Sequence, residues 1–84
     1  MNYRVFWSPQ AEQRLGAIIE IAANTAAVAT AARQIDWELV SDRMAFGESC
    51  YEAIRLGFVL PLGVRFEVME DVRTEIVHRV WLIH

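Results

Sequence analysis

His78 and His84 are the only side chains in this sequence whose unperturbed titration falls near neutral pH. His84 is the last residue, where chains fray, so His78 is the better placed to move a proton. As a base it would take the proton of a hydroxyl such as a ribose 2′-OH, and an arginine beside it would hold the charge developing on a phosphate. Arg65 and His78 are therefore the candidate catalytic pair. Arg55 and Arg65 lie on consecutive predicted strands and are expected to share one open sheet face, gripping a phosphate or a partner's carboxylate, with Arg79 joining them. Trp81 and Trp7 are expected on that face as anchors for a partner segment. The plainer alternatives are solvated arginines lying across a sheet, an inert hydrogen-bonded histidine and tryptophans packed in the core.

Other chemistries find little support. Cys50 is the only cysteine, so no internal disulfide forms and no zinc spacing exists. No Ser-His-Asp or Cys-His set is indicated, and no metal or cofactor is expected. The chain carries 8 basic residues, all arginine, against 11 acidic ones, a net charge of −3. Such a chain attracts phosphate backbones weakly at long range, so nucleic acid could be met only by local arginine patches. The hydrophobic fraction of 55%, with three Trp, four Phe and two Tyr, exceeds what a core of 84 residues needs, and predicts exposed apolar surface that binds something. The free thiol fits a reducing cytoplasm. The first nine residues lack the pattern of a signal peptide, and the near-apolar run Ala22 to Ala32 is too short to span a bilayer. A cytoplasmic protein with no membrane partner is the expectation.

The elements that must position these residues are legible in part. Asn2 to Trp7 alternates as a strand. Ser8 then caps, and Pro9 opens, a helix running to about Ala23 with Ala11, Leu15, Ile18, Ile19 and Ala22 on its apolar stripe. Asn24-Thr25 breaks the pattern and caps a second helix, Ala26 to Met44, with Val28, Ala31 or Ala32, Ile35, Leu39 and Arg43 along its stripe. Glu12, Glu20, Asp36, Glu38 and Asp42 are expected on the solvated helix faces, and Trp37 sits one position off the second stripe. Gly47 closes the helical region. Strands are predicted over Cys50 to Leu60, Leu62 to Met69 and Thr74 to Ile83, with Glu70 to Arg73 as a polar turn. The last strand is apolar on both sides and is therefore expected to be central, with the first strand returning beside it. One domain over residues 1–84 follows: an α+β fold of order β-α-α-β-β-β, a helical hairpin packed on one face of a mostly antiparallel four-stranded sheet whose other face stays open.

The opening "YRVFWSPQAEQRLGAIIEIA" resembles the first strand and helix of the RelE/ParE superfamily of toxins, with Ser8, Pro9, Ala11, Glu12, Leu15 and Ile18 in that family's Ser-Pro-x-Ala-Glu-x-x-Leu pattern. The alanine-rich second helix, the Gly47-Glu48-Ser49 loop and the closing "LPLGVRFEVMEDVRTEIVHRVWLI" resemble its later elements, so the likeness spans nearly the whole chain. The resemblance implies a toxin of a type II toxin–antitoxin module, held inactive by a cognate antitoxin that wraps it. It implies either a ParE-like action, binding a target such as DNA gyrase, or a RelE-like cleavage of mRNA on the ribosome. Two departures lean toward ParE, or toward an inactive interaction domain: the chain stops at His84 without the tail that bears a functional tyrosine in RelE-like members, and it has no lysine. A homodimer is a further partner left open.

Overall fold

The computed structural model describes residues 3–41 and 46–83. Strand β1 (Arg4–Trp7) leads into helices α1 (Pro9–Ile21) and α2 (Thr25–Ser41), followed by strands β2 (Glu48–Tyr51), β3 (Ile54–Val59) and β4 (Leu62–Met69), a single 3-10 turn (Glu70–Val72) and strand β5 (Thr74–Leu82). The sheet order is β1-β5-β4-β3-β2. β1 runs parallel to β5, and every other pairing is antiparallel. The expected central position of the last strand and the return of the first strand beside it are both present.

The sheet has five strands rather than the four expected. The segment read as one strand, Cys50 to Leu60, is broken at Glu52, whose φ of 49° turns the chain back so that β2 pairs antiparallel with β3. β2 is an edge strand exposed at all four positions. It carries no apolar alternation, so periodicity alone had nothing to detect there. Gly47 enters this strand at a φ of +79°, where a Cβ would stand 2.6 Å from the Leu56 carbonyl oxygen. Any other residue would meet both a steric clash and a left-handed backbone.

Both helix starts follow the sequence. The Ser8 hydroxyl accepts a hydrogen bond from the Ala11 N–H at 3.1 Å, and the Asn24 side-chain oxygen accepts one from the Ala27 N–H at 3.0 Å. Each satisfies an amide that the first helical turn leaves without a partner. α1 buries Ala11 and Ile18; α2 buries Val28, Ala31, Ile35 and Leu39. The end expected for α2 at Arg43 and Met44, like Asn2, Asp42 and His84, falls outside the described residues.

The helices cover one side of the sheet, and the register sorts the strand residues onto two faces. On the helix side, Leu62, Val64 and Phe66 are fully buried, and Val68 is nearly so. Opposite them stand Leu82, Val80, Val77 and Glu75 of β5. Phe66 stacks on Phe46 with ring centroids 5.7 Å apart. β1 adds Val5 and Trp7 to this face, since they pair with Glu75 and Val77. The outer face carries Gly63, Arg65, Glu67 and Met69 of β4, opposite Trp81, Arg79, Ile76 and Thr74. Among the described residues no helix is long and apolar enough to cross a membrane.

Candidate functional site

Strict alternation would put His78 and Arg79 on opposite faces of β5. The structure does not keep strict alternation. Arg65 stands opposite Arg79, whereas the next residue of β4, Phe66, stands opposite Val77, so His78 is one extra residue in β5. Such a bulge sets two residues against one and re-aims a side chain. Here it turns His78 toward the outer face, where its Nε2 lies 2.9 Å from Glu67 Oε1. It also returns Val80 to the core side, so the apolar pattern of β5 resumes one step out of phase.

The outer face at this bulge is a groove of about 730 Å³, lined by Gln10, Arg14, Arg65, His78, Arg79 and Trp81 among others. Its side wall comes from the start of α1. The Ser8 N–H donates to the Val77 carbonyl at 2.9 Å, which pins the helix N-terminus against β5 just before the bulge. Gln10 and Arg14 are four residues apart, hence neighbours on one helical face, and that face looks along the groove. Three arginines, Arg14, Arg65 and Arg79, thus line one half-open surface, with the Glu67 carboxylate against His78 beside them. The chain as a whole carries −3, so the groove is a local inversion of its charge.

The pair at the bulge has a defined chemistry. An ionised carboxylate only accepts hydrogen bonds, so with neutral His78 the Nε2–H donates to Glu67 and Nδ1 keeps its lone pair. The carboxylate thereby sets the tautomer of a candidate base. Arg65 and Arg79, directly opposite each other, carry like charges, an arrangement that destabilises a sheet unless an anion lies between them.

The sequence candidates divide. Arg65, His78, Arg79 and Trp81 share the groove. Arg55 does not join Arg65: it stands opposite Phe66 on the helix side and donates through Nη2 to the Gly47 carbonyl at 2.7 Å, while the outer-face neighbour of Arg65 is Leu56. The short turn at Leu60-Pro61 fixes a register that sets Leu56, not Arg55, opposite Arg65, so the two arginines fall on opposite faces of the sheet. Trp7 is likewise on the helix side, its indole N–H donating to Asp36 Oδ1 of α2 at 2.6 Å. It clamps β1 to the helical layer rather than offering itself to a partner. Arg14, Gln10 and Glu67 were passed over in the sequence. Glu67 was detectable, two residues from Arg65 on the same strand face, whereas the destination of Arg14 depended on where α1 docks. No cluster of metal-ligating side chains exists among the described residues.

No protein-family model and no curated protein sequence matches this chain. Solved structures do. The chain is similar to a chain of the toxin–antitoxin complex RelBE2 from Mycobacterium tuberculosis, with a TM-score of 0.80 at 12% identity, covering 98% of this chain and 99% of that one. It is similar to a chain of the chromosomal ParDE toxin–antitoxin system from P. aeruginosa, with a TM-score of 0.71 at 15% identity over 98% and 97%. It is also similar to a chain of the archaeal RelE–RelB complex from Pyrococcus horikoshii OT3, with a TM-score of 0.65 at 15% identity over 98% and 96%. At these identities the likeness establishes the fold alone: this chain shares its architecture with those chains of toxin–antitoxin complexes over almost its full length, as the sequence resemblance led one to expect.

Proposed function

We propose that this chain is the toxin of a type II toxin–antitoxin module and that its outer groove acts on the phosphodiester backbone of RNA. The observation that carries the second part is the convergence of Arg14, Arg65, Arg79 and His78 at the β5 bulge, with Glu67 holding the histidine. Two arginines facing each other across β4 and β5 gain nothing for stability, and a bound phosphate resolves their repulsion by bidentate hydrogen bonding. His78 Nδ1 would accept the proton of a ribose 2′-hydroxyl. The oxygen attacks the adjacent phosphorus, and the bond from phosphorus to the 5′-oxygen breaks as that oxygen takes a proton from water. The products are a 2′,3′-cyclic phosphate and a 5′-hydroxyl end. Arg65 and Arg79 stabilise the extra negative charge on the phosphoryl oxygens in the transition state. The chain has no lysine, one of the departures that lean toward ParE, but arginine's planar fork suits a phosphate better than an ammonium does.

The toxin assignment is supported by the shared fold with chains of toxin–antitoxin complexes, and by exposed apolar side chains, Phe58, Leu60 and Tyr51, that an antitoxin would cover. A second reading keeps the same module with a ParE-like action: the exposed aromatic residues beside the groove dock on a protein target such as gyrase and no bond is cleaved. Purified protein separates the two. Ribosome-dependent mRNA cleavage that Arg65→Ala abolishes supports the nuclease; no cleavage by the wild type together with inhibited gyrase supercoiling supports the binder. Growth arrest on expression, relieved by co-expressing a neighbouring reading frame, tests the module itself; no arrest and no relief would remove the toxin assignment.

A further inference from the structure

Beside the arginines, the outer face carries an aromatic corner. Phe58, Gly63 and Trp81 stand in one row across β3, β4 and β5. A Cβ on Gly63 would lie 2.6–2.7 Å from three ring atoms of Trp81, so the indole lies with one face flat on the bare backbone of that glycine. Its other face is turned away from the sheet. Phe58, 55% exposed, stands almost perpendicular to it, with an interplanar angle of 79° and ring centroids 6.1 Å apart. The indole is therefore held in one orientation from below and from the side, and it stays partly exposed where it lines the groove. Arg65 follows Gly63 by two residues on β4, and Arg79 precedes Trp81 by two on β5, so both strands root an arginine about 7 Å along the backbone from the corner on the same face.

Resting on the reading of the groove as an RNA site, we propose that Trp81, positioned by Gly63 and Phe58, is a stacking platform for one unpaired nucleobase, adjacent to the phosphate held by Arg65 and Arg79. Charge decides the occupant. A hydrophobic peptide would use the aromatic corner but leave Arg65 and Arg79 facing each other, with Arg14 beside them, unneutralised. A single-stranded nucleic acid satisfies both, phosphates on the guanidiniums and a base on the ring. A duplex keeps its bases stacked on each other and cannot offer one. The site thus prefers an unpaired strand, and it discriminates little among bases because each has a π-face.

The test uses the full chain and two short oligoribonucleotides of equal length, 2′-O-methylated so that they cannot be cleaved: one of uridines, the other abasic with the same sugars and phosphates. The wild type is expected to bind the uridine oligomer about 5- to 100-fold more tightly than the abasic one, with quenching of tryptophan fluorescence by the first only. Trp81→Leu keeps the glycine covered but has no π-face; it should lose that difference while holding the abasic oligomer as the wild type does. Arg65→Ala should weaken both. Equal wild-type affinities for the two oligomers would overturn the platform and leave the phosphate groove standing. No binding of either would overturn both, and the corner would then belong to a protein partner.

Discussion

The two faces of β4 (Leu62–Met69) are built from interleaved residues of one strand and do opposite things. On the helix side, Leu62, Val64, Phe66 and Val68 are packed under α1 and α2, each removing apolar area from water worth roughly 1.5–3 kcal/mol. On the outer side, Arg65 and Glu67 stay partly solvated, and Arg65 faces another arginine. Stability therefore resides on one face and chemistry on the other, a few ångströms apart. The division has a physical reason. A buried surface must be apolar and close-packed, while a surface that binds an anion must keep its charges unneutralised until the ligand comes. A strand supplies both at once because successive side chains point to opposite sides.

The sharpest way to break this comparison is on the core face. Phe66→Ala removes a fully buried ring stacked on Phe46 and should cost about 3–5 kcal/mol, enough to unfold much of a domain this small. Urea unfolding monitored by circular dichroism measures it, and a loss below about 1 kcal/mol would contradict the core assignment. His78→Ala comes next. It should leave the unfolding midpoint close to wild type and reduce RNA cleavage by about 10²- to 10⁴-fold. A variant that cleaves normally would confine His78 to a structural role at the bulge.

Arg65→Ala should lower cleavage by about 10²- to 10³-fold while changing stability by no more than about 0.5 kcal/mol, and in the direction of a gain, because the like charge opposite it is relieved. A clear loss of stability would mean that the outer face shares the structural work. The smallest effect belongs to the hinge between the faces. Ser8→Ala removes the α1 cap, and so about 1 kcal/mol of stability, with a modest loss of RNA affinity as Gln10 and Arg14 loosen along the groove. Unchanged thermal unfolding would show that the Ser8 N–H bond to Val77 holds the helix start by itself.

Several of these features were visible in the residues alone. Ser8-Pro9 and Asn24 mark helix starts because capping is a local exchange between a side chain and amides two or three residues on. The stripe Val28, Ala31, Ile35, Leu39 and the alternation through Leu62 to Val68 predicted the buried set, since burial follows the period of the element. The resemblance of the opening and closing segments anticipated the fold that the solved toxin–antitoxin chains share. The polar edge strand β2 was not visible, because pairing on an exposed edge rests on backbone hydrogen bonds that ask no apolar pattern of the side chains.

What the amino-acid order determined by itself was local: where helices begin, which stripe of each is buried, which faces of β4 are apolar and charged, and that β5 is an interior strand. The groove was decided only in three dimensions. The extra residue at His78, the inward turn of Arg55 and Trp7, and the docking of Arg14 beside β5 all depend on register against a neighbouring strand or helix. Register is set by contacts between residues far apart in the chain, and a single inserted residue reverses the facing of every side chain beyond it. Periodicity along one segment carries no record of that partner.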